Sequence, residues 1–162
     1  MAFRDSNSCQ SGSMPSFYNL DMAVGPDCPN RRDDVMLVQF LLKQFYAAPD
    51  RVADAPRGEM KVDGWWGGTT ARWILAFQQR LKKKGLSICV DGQVDPALSE
   101  SGSISHTVYT IRWLNGQWYG DLDSVHQNNH WNHLEEAVDA PSTLQAAVGP
   151  PGDDWVDPKR GF

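Results

Sequence analysis

The sequence predicts an all-α fold centred on a bundle of three helices. Apolar residues recur at spacings of three and four in three stretches: Val35, Val38, Leu42 and Phe45; Ile74, Phe77 and Leu81; and Val108, Ile111, Leu114 and Trp118. A turn dipeptide, Asp63-Gly64, stands ahead of the second stretch, and a related one, Asp91-Gly92, returns 28 positions later. In such a turn the short Asp carboxylate accepts backbone N–H groups and glycine takes φ > 0 at no steric cost.

Residues 1–30 are rich in Ser, Asn, Gly and Pro and carry no helical period, so they read as an arm pinned by Phe17, Tyr18 and Leu20. Asp33 or Asp34 is placed to cap the first helix, which runs to about Tyr46 and stops before Pro49. Leu37 and Leu41 widen its apolar stripe, which makes it the central helix. Residues 47–60 form a long loop. Trp66 then plugs the turn into the core, and Thr69 or Thr70 caps a second helix that reaches Lys84. Gly85 is its left-handed stop. After an irregular link over 95–105, a third helix covers roughly His106–Tyr119; a strand over Thr107–Leu114 is the alternative, given its Val, Tyr, Thr, Ile and Trp. The chain thus divides into an arm (1–30), a three-helix module (31–120), an additional helix (121–140) and an acidic Pro/Gly-rich tail (141–162). On this reading residues 31–140 fold without either end.

Composition narrows the function. Hydrophobic residues make up 41% of the 162, with seven Trp, which suits a packed core and excludes global disorder. No apolar run approaches the roughly 20 residues that span a bilayer. The first residues lack the apolar core of a secretory signal, so the expectation is synthesis in the cytoplasm and delivery by another route or within a particle. Cys9, Cys28 and Cys89 cannot all pair within one chain, and free thiols are at least as well supported as one Cys9–Cys28 disulfide. The net charge of −5 splits unevenly: residues 1–34 carry three basic and five acidic groups, 35–120 ten and seven, and 121–162 two and eight. Without a basic stripe, nucleic acid is not an expected partner.

The stretch Lys61–Gln78 carries a resemblance. Asp63-Gly64, Trp66, Thr70, Ala76-Phe77-Gln78, Gly85-Leu86 and Asp91-Gly92, together with Val35, Val38, Gln39 and Leu42 upstream, follow the signature of the peptidoglycan-binding domain family of small three-helix cell-wall modules. The likeness covers residues 33–94 and extends by pattern to 119. Beyond Gly92 it departs: Asp95 stands where the family has Gly, and the following Thr-Trp is missing. The resemblance implies non-catalytic binding of cell-wall glycopeptide in a shallow groove lined by Asp63, Trp65, Thr70, Arg72 and Gln78, with no cofactor. A different class of function, a structural subunit of a phage particle or injection machine that associates through its terminal arms, fits the long polar ends.

Catalytic candidates are sparse. On a helix, His126, His130 and His133 share one face at metal-gathering spacing, which makes a zinc-dependent wall hydrolase the rival enzyme reading. Gln127 occupies the place of the Glu general base in H-E-x-x-H, and an amide cannot take a proton from metal-bound water. Glu135 and Glu136 are adjacent and diverge on a helix, so they form no glycosidase pair. Cys89 reads as a small core hydrophobe, and Cys28 has no base beside it. Among the aromatics, one of Trp65 and Trp73 is free to face a ligand, unless both cover the inserted loop.

Overall fold

The computed structural model describes residues 2–5, 17–97, 109–116, 134 and 140–148. Among these, four α-helices and one two-stranded sheet make up the regular structure, so the chain is helix-rich with almost no strand. The strands β1 (Phe3–Asp5) and β2 (Phe17–Asn19) pair antiparallel with Arg4 opposite Tyr18. The helices are α1 (Arg32–Ala47), α2 (Gly68–Lys83), α3 (Thr110–Gly116) and α4 (Ser142–Val148), with a single 3-10 turn at Val52–Asp54.

Helix α1 is central, as its wide stripe predicts. Every residue from Asp34 to Leu42 is buried. Phe45 at its far end meets Phe77 of α2 edge-to-face at 4.9 Å, and the adjacent Tyr46 meets Trp73 in the same way at 5.3 Å. Arg51 lies 4.6 Å over the Phe45 ring and Asp54 pairs with Arg80, so the 47–60 loop is strapped back across this aromatic end.

The helix boundaries follow backbone chemistry more than side-chain caps. Neither Asp33 nor Asp34 caps α1: its N-cap is Arg31, without a side-chain bond. The buried Asp34 carboxylate instead accepts the N–H groups of Asp21 and Met22, at 3.0 and 3.1 Å, which draws the preceding segment onto the helix. Likewise α2 begins after an extended Gly67 with no side-chain cap: the helix starts at Gly68, which leaves Thr69 and Thr70 inside its first turn. Its end is as expected. Gly85 takes φ of 82°, its N–H bonds the Lys82 carbonyl, and the Leu86 N–H bonds that of Leu81, a Schellman stop.

Two expectations about the ends are corrected. Residues 17–30 are more than a pinned arm: Tyr18 and Leu20, two of the expected anchors, belong to the core, and so does Val24. Two buried asparagines tie this segment to the far part of the chain. Asn19 exchanges side-chain bonds with the backbone of Ala97, and Asn115 of α3 does so with the backbone of Tyr18. Val24 forms an antiparallel bridge with Val94. The tail is not wholly extended either, because α4 buries Leu144 and Val148 and packs on α1 and β1. Residues 110–114 are helical, which removes the strand alternative there, since Ile111 and Leu114 bury one face of α3. The additional helix expected over 121–140 lies outside the described residues except for Leu134 and Ala140, both buried.

Candidate functional site

The two Asp-Gly turns are held by the same device, one glutamine each. In the first, Gln39 projects from the middle of α1. Its Nε2 donates toward Asp63 Oδ1, the Trp65 carbonyl and Thr70 Oγ1, all at 3.1 Å. Its Oε1 accepts the N–H groups of Asp63 and Gly64 at 3.1 and 2.9 Å. In the second, Gln78 of α2 donates toward Asp91 Oδ1, the Gln93 carbonyl and Thr110 Oγ1, and accepts the Gly92 N–H at 2.8 Å. Each Asp carboxylate closes its turn by accepting the N–H two residues on, from Trp65 and from Gln93, both at 2.9 Å. Each clasp therefore joins one helix to the turn that follows it and to the start of the next helix.

Glycine is required in both turns. Gly64 and Gly92 have φ of 77° and 74°. A Cβ on Gly64 would sit 2.4 Å from Arg32 Cγ and 2.8 Å from the Arg32 carbonyl oxygen, whereas one on Gly92 would touch Leu75 at 3.4 Å. Met36 lies beside Gly64 as Leu75 lies beside Gly92. The correspondence extends through the helices at a spacing of 39, which pairs Val35 with Ile74, Met36 with Leu75, Val38 with Phe77, Gln39 with Gln78 and Leu42 with Leu81.

The expected ligand-lining residues fall into two groups. Thr70 and Gln78 are 3% and 0% exposed, and their polar atoms are occupied within the clasps. They shape the turns and present nothing to a ligand. Asp63, Trp65 and Arg72 are at the surface. Trp65 is 72% exposed, while Trp73 is buried against Tyr46, so of the two candidate aromatics Trp65 is the one that faces out. Trp66 is half-buried against the core. Arg72 spends one N–H on the Arg57 carbonyl and keeps the rest of its guanidinium at the surface. Gly67 and Gly68 open onto free space, so nothing among the described residues crowds the start of α2.

The described residues hold little for covalent chemistry. Burial pushes both the Cys28 and Cys89 thiols up, and carboxylates nearby (Asp95 first for Cys28, Asp91 for Cys89) add to it, so neither is an activated nucleophile. Cys89 is exposed, not the core hydrophobe expected. No group of three or more His, Cys, Asp or Glu with metal-holding geometry occurs among the described residues. His126, His130 and His133 lie outside them, as do Cys9, Glu135 and Glu136. No helix among the described residues is long and apolar enough to cross a membrane.

Motif reading aligned Gln39 but gave it no role, and it missed Thr110; both organise the turns. The signal was present: self-comparison at a spacing of 39 aligns the two glutamines and their flanking apolar residues. Comparison with protein-family models, with curated proteins and with solved structures finds no match to this chain.

Proposed function

We propose that this protein is a non-catalytic binding module for bacterial cell-wall peptidoglycan, its helices arranged as in the peptidoglycan-binding domain family. The observation that carries the reading is Trp65. Its ring stands 72% exposed on a turn whose backbone is fixed by the Gln39 and Asp63 bonds. A rigid, exposed aromatic face suits the C–H face of a pyranose, at low entropic cost because the turn is ordered beforehand. Asp63 and Arg72 supply the polar groups that would meet hydroxyls and carboxylates; Thr70 and Gln78 hold the turns. The test is sedimentation of the full-length protein with purified sacculi, in the presence of a chelator. The expected result is metal-independent sedimentation that Trp65→Ala abolishes. Protein that stays in the supernatant, or a Trp65→Ala variant that sediments like the wild type, would refute the reading.

A further inference from the structure

The two turns share a framework but differ in what lies against them. Gln39, Asp63, Gly64, Trp65, Trp66 and Thr70 of the first correspond to Gln78, Asp91, Gly92, Gln93, Val94 and Thr110 of the second. At the second turn the backbone of Val94 is paired with Val24 in an isolated antiparallel bridge. The Val24 N–H donates to the Val94 carbonyl at 2.9 Å, and the Val94 N–H donates to the Val24 carbonyl at 2.7 Å. The next residue, Gly25, has φ of 157° and passes so close to Gln93 that a Cβ would meet Gln93 Cα at 2.9 Å. At the first turn, the backbone N–H and C=O of Trp66, the counterpart of Val94, have no hydrogen-bond partner among the described residues. Among the described residues nothing lies within 4 Å of a Cβ on the neighbouring Gly67 or Gly68, and the Trp66 side chain is partly buried against the core.

We infer that the Trp66 edge is a docking site for an extended peptide segment of a partner protein, bound antiparallel as residues 23–25 are bound at Val94. An open pair of backbone groups is a template for strand addition, with the main chain supplying affinity and the flanking side chains selectivity. The internal copy specifies the occupant. The residue opposite Trp66 is apolar, because in an antiparallel pair it shares a face with the half-buried indole, as Val24 does with Val94. The residue after it is glycine, by analogy with Gly25, which has no room for a Cβ against Gln93, the counterpart of Trp65. This surface is backbone-directed and independent of glycan stacking on Trp65, so it holds whether or not the protein binds the wall.

The probe is the acetylated, amidated heptapeptide with the sequence of residues 21–27, titrated into isotopically labelled full-length protein and followed by amide chemical shifts. The expected result is saturable shifts centred on Gly64, Trp65 and Trp66. N-methylation of the peptide valine, which removes the donor to the Trp66 carbonyl, should weaken binding by at least about fivefold, the worth of one hydrogen bond. Replacing the peptide glycine by valine should weaken it further. Three outcomes would overturn the inference: no shifts up to about 10 mM peptide, a range that reaches weak millimolar binding; equal binding of the N-methylated peptide; or shifts confined to Gly92–Val94, which would mean exchange with the chain's own Val24 segment.

Discussion

At the scale of single residues, Gln39 and Gln78 each join a helix, a turn and the start of the next helix through one side chain. Gln39→Leu takes the partner from the N–H groups of Asp63 and Gly64, the Trp65 carbonyl and Thr70 Oγ1, while Asp63 Oδ1 keeps the Trp65 N–H, and it is expected to cost roughly 3 kcal/mol in chemical denaturation. Gln39→Glu should cost more at neutral pH than in acid, because its carboxylate would face Asp63 Oδ1; a pH-independent difference would contradict that geometry. Trp65→Ala should change stability by less than about 0.5 kcal/mol, as expected of an exposed side chain, while Trp73→Ala should cost roughly 3–5 kcal/mol. Asp34 sets a pH dependence. Burial raises its carboxyl above the usual range, outweighing the two N–H bonds that favour the charged form. Its contribution is fully present below the unfolded pKa of about 3.9 and is lost as pH rises through the folded value. Asp34→Asn should therefore flatten the fall in stability as pH rises through that window. An unchanged slope would mean that the carboxyl is solvated. Tyr46, pushed by burial up to about 12, acts at the other extreme: stability is full below about 10 and declines as pH climbs to the folded value, a decline that Tyr46→Phe should remove.

At the scale of elements, local chemistry was legible and partner choice was not. The Schellman end at Gly85, the Asp-Gly turns and the stripe of α1 each depend on neighbours in sequence, so the residues announce them. The threonine cap of α2 failed as an expectation because the helix starts at Gly68, ahead of both Thr69 and Thr70. Thr70 Oγ1 is taken by Gln39, 31 residues away, and Gly67 is left at the cap. Restoring the cap gives a test: Gly67→Asp should stabilise by about 0.5–1 kcal/mol, since an acidic cap satisfies an open N–H and meets the positive end of the helix dipole. Gly64→Ala should do the reverse, because its Cβ would strike the Arg32 backbone and its φ is left-handed. Two melting curves shifted in the same direction would contradict this assignment. Of the candidate site, the surface residues Asp63, Trp65 and Arg72 were readable from the turn motif. That Thr70 and Gln78 point inward was not, because burial is set by packing between helices.

At the scale of the whole molecule, residues 17–30 belong to the fold. Tyr18, Leu20 and Val24 are buried, and burying each large apolar side chain contributes about 1.5–3 kcal/mol, against a total stability of about 5–15 kcal/mol. Deleting residues 1–30 is therefore expected to abolish cooperative unfolding, and binding assays belong on the full chain. A fragment starting at residue 31 with a sharp native-like transition would show that the N-terminal segment only decorates the core. The sequence named Tyr18 and Leu20 as anchors but could not reveal how firmly the segment is tied. The segment is polar on average, and its ties are asparagine side chains matched to backbone groups up to 97 positions away.

That separation also has a consequence in time. A chain grows from its N-terminus at about 5–20 residues per second, so roughly 5–20 s pass between the synthesis of Tyr18 and that of Asn115, which receives it. Through that interval the apolar face of α1 and the residues before it have no finished partner. The nascent chain is most open to chaperones and proteases then, and a ribosome stalled before Asn115 would hold a chain that cannot close.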